Sequence, residues 1–159
     1  SEPEFVLQDT TLVRLTRGSN SAPALTDVDG DGDLDLFIGE SSGELNFYRN
    51  VGSRFAPSFE LVSDRFSEID AGRRSFPAFA DIDGDGDEDL ILGREEGGVL
   101  LYRREGSVAD VDPLFVVDST FTLPLPNYST PSLVDIDGDG DLDVFSGGRG
   151  GGLILLEGR

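Results

Sequence analysis

Nine residues, Asp27-Val28-Asp29-Gly30-Asp31-Gly32-Asp33-Leu34-Asp35, recur as Asp81-Ile82-Asp83-Gly84-Asp85-Gly86-Asp87-Glu88-Asp89 and again as Asp135-Ile136-Asp137-Gly138-Asp139-Gly140-Asp141-Leu142-Asp143. The copies start at 27, 81 and 135, a constant step of 54 residues. A fixed period of this kind marks a repeat architecture, in which one unit cannot bury its apolar face alone and neighbours must stack. Five aspartates within nine residues also repel one another unless a cation neutralises them.

The flanks of the loop repeat with it. A Ser-x-Pro step precedes each copy (Ser21-Ala22-Pro23, Ser75-Phe76-Pro77, Ser129-Thr130-Pro131), and a short apolar run ending in Gly39, Gly93 or Gly147 follows. A Gly-rich turn and a second apolar run come next, at Leu45–Tyr48, Val99–Tyr102 and Leu153–Leu156. A Pro-x-Phe step at Pro57-Ser58-Phe59 and Pro113-Leu114-Phe115 opens a further run. Every run is short, rich in β-branched and aromatic residues, and bounded by Gly, Pro, Asn or Asp, which is strand punctuation. The first unit reads as strands near 22–27, 34–39, 44–50 and 57–63, and only 64–69 suits a single helical turn.

Four-stranded units in tandem predict an all-β chain, a β-propeller with three blades at about 9–63, 64–118 and 119–159. The third unit stops after its third strand, whereas Pro3-Glu4-Phe5 matches the fourth-strand step, so residues 4–8 are expected to supply a missing outer strand. Propellers usually need about four to eight blades. Another chain is therefore expected to complete the ring, with a head-to-tail homodimer closing at six blades favoured over a fragment of a longer propeller.

Composition narrows the chemistry. The chain has no Cys, His or Trp, which removes disulfides, His/Cys zinc sites, the usual catalytic triads and thiol nucleophiles. Its net charge of −20 would repel nucleic-acid phosphate, and no apolar run is long enough to span a membrane. The opening Ser1-Glu2-Pro3-Glu4-Phe5 does not read as a signal peptide, so a mature protein or an excised piece of one is expected.

Calcium takes six to eight hard oxygen ligands in flexible geometry. Alternate positions of the loop project to one side, so Asp27, Asp29, Asp31 and Asp35 can converge on one ion with the carbonyl of Asp33. Asp81, Asp83, Asp85 and Asp89 with the carbonyl of Asp87 form the second set, and Asp135, Asp137, Asp139 and Asp143 with that of Asp141 the third. Glycine at position six permits the tight turn. The loop is not an EF-hand, because its twelfth position falls on Ile38, Leu92 or Ser146 and a strand follows. Magnesium, which demands strict octahedral geometry, suits a carboxylate-rich wrap less well.

At residues 23–36, their copies at 77–90 and 131–144, and the run Gly43-Glu44-Leu45-Asn46-Phe47-Tyr48-Arg49-Asn50, the chain resembles the FG-GAP / VCBS repeats of integrin alpha-chain propellers and of many secreted bacterial proteins. That resemblance implies three calcium sites on one propeller rim and an extracellular setting. The expected role is a calcium-stabilised module for adhesion, scaffolding or ligand recognition. Tyr128, Arg73, Arg74, Arg94 and Arg149 on the opposite rim are candidate contacts for a glycan or protein. The alternative is a propeller domain of a secreted carbohydrate-active or hydrolytic enzyme. No nucleophile motif supports that alternative, and no enzyme is expected.

Overall fold

A computed structural model describes residues 6–106 and 113–159. Eleven strands form three antiparallel sheets. The first contains β1 (Ala22–Thr26), β2 (Asp35–Gly39), β3 (Leu45–Asn50) and β4 (Phe59–Ser63), in that order. The second contains β5 (Ser75–Ala80), β6 (Asp89–Arg94), β7 (Val99–Glu105) and β8 (Leu114–Asp118). The third has β9 (Thr130–Val134), β10 (Asp143–Gly147) and β11 (Leu153–Leu156). Each sheet is a simple up-and-down meander, its successive strands pairing as antiparallel neighbours.

The expected strands of the first unit all form, with ends moved by one or two residues. The single helical turn expected over 64–69 is a short 3-10 turn at Phe66–Glu68, held where Phe66 inserts its ring into the core. The outer strand expected at 4–8 lies partly outside the described residues, and Val6, Leu7 and Gln8 belong to no strand within one chain.

The sheets stack face to face, with β1 beside β5 and β5 beside β9. Strand alternation decides what each face contributes. Phe37 and Phe47 point from the first sheet toward the second and meet Leu90, Leu92 and Phe115, with Phe66, Ile69 and Ala71 of the connection filling the gap. Phe37 stacks on Phe47 with ring centres 4.6 Å apart, and Phe66 meets both edge-on. From the other face of the second sheet, Ile91, Val99 and Leu101 pack on Val144 and Leu133 of the third, with Phe121, Leu123 and Leu125 between. A smaller cluster covers the outer side of the first sheet, where Val13 and Leu15 lie over Leu36, Ile38 and Tyr48.

The Ser-x-Pro step proves to be an inter-sheet staple. The buried Ser75 hydroxyl accepts from the amide of Glu40 at 2.9 Å and donates to the carbonyl of Glu44 at 2.7 Å, tying β5 to the β2–β3 turn of the preceding sheet. Ser129 repeats this with the amide of Arg94 at 3.0 Å and the carbonyl of Gly98 at 2.5 Å. Such close approach requires glycine opposite. A Cβ on Gly39 would stand 2.2 Å from the Ser75 carbonyl oxygen, and one on Gly93 would stand 2.2 Å from that of Ser129. Gly93→Ala should therefore force the second and third sheets apart and cost about 1–3 kcal/mol, the usual range for overpacking. Urea denaturation checks this, and an unchanged midpoint would contradict the staple geometry.

Candidate metal centres

The three Asp/Gly loops connect the first and second strands of each sheet, so all three lie at the same end of the stack. The first aspartate of each loop organises the turn. Asp81 accepts from the amides of Gly84 at 2.8 Å, Asp85 at 3.1 Å and Gly86 at 3.0 Å. Asp27 holds the amide of Gly32 at 3.0 Å, and Asp135 holds those of Gly138 at 2.7 Å and Gly140 at 3.1 Å. The sixth-position glycines Gly32, Gly86 and Gly140 have φ of 95°, 95° and 98°, while the space beside them is open. Backbone conformation, not crowding, fixes glycine there.

This wrap gathers Asp27, Asp29 and Asp31, then Asp81, Asp83 and Asp85, and finally Asp135, Asp137 and Asp143, each trio with carboxylate oxygens within 4.8 Å of one another. Each of these sets can hold a metal ion. Positions one, three and five therefore converge in the first two loops, whereas in the third position nine joins positions one and three. Asp139, at position five of the third loop, accepts the amide of Asp141 at 3.0 Å and stands outside that trio.

The donor set fits a hard cation in a second way. Asp27 Oδ1, Asp29 Oδ1, Asp33 Oδ1, Asp35 Oδ2 and Asp87 Oδ1 are buried without a hydrogen-bond donor. A buried carboxylate oxygen left in that state is costly, and a cation supplies what is missing. The titration of Asp33, Asp35 and Asp87 points the same way. Burial pushes Asp35 up to about 6, with the nearby charge of Asp29 adding to the rise. Asp33 is raised by burial and by Asp31, Asp29 and Asp27, and Asp87 by burial and Asp85.

Two features of the centres go beyond the sequence reading. Position seven is expected to offer only its carbonyl, yet Asp33 and Asp87 each also carry a buried side-chain oxygen that meets no donor. Position nine is the anchor of the hairpin as well as a candidate ligand. Asp35, Asp89 and Asp143 are buried and accept the amides of Asn50 at 2.8 Å, Arg104 at 2.8 Å and Gly158 at 3.0 Å. Asp89 and Asp143 also hold the amides of Ile82 and Ile136 inside their own loops, at 3.3 and 2.9 Å.

Sequence reasoning missed the arginines. Arg49 pairs with Asp29 at 3.2 Å, and Arg103, one repeat later, pairs with Asp83 at 3.5 Å and Asp89 at 2.8 Å. The third repeat has Glu157 at the corresponding position. The signal was present as a basic residue at matching positions 49 and 103.

At the opposite end, the candidate contact residues come together. The guanidinium groups of Arg74 and Arg149 lie 5.4 and 5.6 Å from the centre of the Tyr128 ring. Arg73 and Arg74 both pair with Glu95, at 3.5 and 3.1 Å, and Arg94 donates to the carbonyl of Gly97 at 3.0 Å.

Comparison with known families matches the FG-GAP-like repeat over residues 27–92 and again over 81–146. The chain belongs to this family. Each FG-GAP-like match begins on the first aspartate of one loop and runs through the next, so it spans one centre, the rest of its sheet and the following centre. Comparison with curated proteins gave no match. Among the described residues, no helix of this FG-GAP-like repeat chain is long and apolar enough to cross a membrane.

Proposed function

We propose that the chain is a calcium-stabilised β-propeller module of an extracellular protein, acting in adhesion, scaffolding or ligand recognition and not in catalysis. The observation that carries this reading is the set of buried, donorless carboxylate oxygens within aspartate-rich loops at one end of the stacked sheets. Calcium suits these loops because it accepts many hard oxygens in flexible geometry. Bound there, it would offset the burial, and the smaller repulsion between neighbouring carboxylates, that raise Asp33, Asp35 and Asp87. Carboxylates engaged by a cation make poor acids or bases, which argues against a hydrolytic role for the same loops. The Arg74–Tyr128–Arg149 stack leaves the far end as the surface for a protein or glycan partner.

Calorimetric titration with calcium tests the reading and should give three ions per chain, with magnesium binding more weakly. Asp29→Ala should abolish one site and leave two. If titration releases no heat and elemental analysis finds no bound metal at millimolar calcium, the proposal fails.

A further inference from the structure

The repeat exposes on its terminal sheets what it buries at its internal junctions. On the second sheet, Ile91, Val99 and Leu101 are at most 6% exposed beneath the third. Their counterparts one repeat later are Phe145, which is half-buried, and Leu153 and Leu155, which are 68% and 43% exposed. The reverse holds for the inner strands. Ser75 and Ser129 are buried staples, whereas Ser21 at the same position is exposed, as are Pro23 and Leu25 beside it. Gly147 occupies the position of Gly39 and Gly93, whose lack of a side chain admits the inner strand of the next sheet. Within the chain, a Cβ on Gly147 would meet only the Thr130 hydroxyl, at 2.9 Å.

We propose that two copies of this chain join head to tail, β1 of each packing on the β10–β11 face of the other. Val13 and Leu15 already cover Leu36, Ile38 and Tyr48 on the first sheet, so what stays exposed is the edge at Ser21, Pro23 and Leu25 on one side and Leu153 and Leu155 on the other, the two halves of the junction already formed twice inside the chain. In the assembly, Ser21 bridges the amide of Gly148 and the carbonyl of Gly152, as Ser129 bridges those of Arg94 and Gly98. Leu25 takes the place of Phe79 and Leu133 against the apolar face. The three sheets of the described residues are fewer than the roughly four to eight that close a ring. Two copies give six, and a heterologous contact closes when its rotation does.

A cleft also lies between the second and third sheets. It measures about 530 Å³ and is lined by Phe121, Leu123, Leu133, Val144 and Leu156 among others. At the preceding junction the corresponding space is filled by Phe115 of the outer strand β8, against Phe66 and Phe79. Among the described residues no strand pairs with the outer edge of β11.

This inference rests on the propeller reading, and solution mass tests it apart from ion binding. Sedimentation equilibrium in calcium buffer should give twice the 17.0 kDa of one chain. Leu155→Asp and Leu25→Asp, each on a different exposed face, should both yield the single-chain mass with unchanged far-ultraviolet circular dichroism. Gly147→Val, which adds no charge, should do the same. A single-chain mass for the unaltered protein, a mass rising beyond two chains with concentration, or a two-chain mass for Leu25→Asp would overturn the proposal. A single-chain mass with three bound ions would sink the assembly and leave the calcium reading intact.

Discussion

Excess chelator should lower the melting temperature of this protein by roughly 15–30 °C. A ligand that binds only the folded state stabilises it by about 2.7 kcal/mol at a hundredfold excess over its dissociation constant. Three independent sites then give about 8 kcal/mol, and each kcal/mol moves the midpoint of a chain this size by about 2–4 °C. The effect has a local cause, since withdrawal of the cation leaves Asp27, Asp29, Asp33, Asp35 and Asp87 with buried oxygens that no donor meets. Differential scanning calorimetry with and without chelator measures the shift, and readdition of calcium should reverse it. Equal melting temperatures would show that the loops fold without an ion.

Asp89→Ala should be destabilising with or without calcium, by about 3–5 kcal/mol, the usual consequence of removing one partner of a buried charged pair. Asp89 is 1% exposed and accepts from the amides of Arg104 and Ile82 and from the guanidinium of Arg103. Its loss leaves buried donors unsatisfied, whatever occupies the loop. Asp85→Ala is the informative contrast. Asp85 is exposed and accepts the amide of Asp87 at 3.1 Å, so its removal should remove an ion but cost little in chelator. Urea melts of both variants, each with calcium and with chelator, separate anchoring from ligation within one loop. Identical behaviour of the two would show that position nine has no structural role of its own.

Much of the fold could be read from the residues because its determinants are local. Glycine and proline punctuation places β1 to β4 within a residue or two, and the 54-residue step carries that reading into the other sheets. The candidate metal centres were legible for the same reason, since Asp27, Asp29 and Asp31 converge through the turn that Gly30 and Gly32 impose. What the sequence did not disclose was pairing across distance. Ser75 meets the backbone of Glu40 and Glu44 on another sheet, and nothing near position 75 names that partner. Arg49 looks like an ordinary strand cation until β3 is seen to carry it to Asp29. The dual use of position nine was hidden too, because a carboxylate that pins a hairpin and one that binds an ion look alike in a motif.

The meander order of each sheet bears on how the protein is made. Within each sheet every strand bonds to its neighbour in sequence, so the pairing is local and needs only hairpin closures. The serine clasps come afterwards, each joining residues 31 to 35 positions apart. Synthesis thus delivers the sheets in order, but each apolar face is covered only once the following sheet has emerged and settled against it.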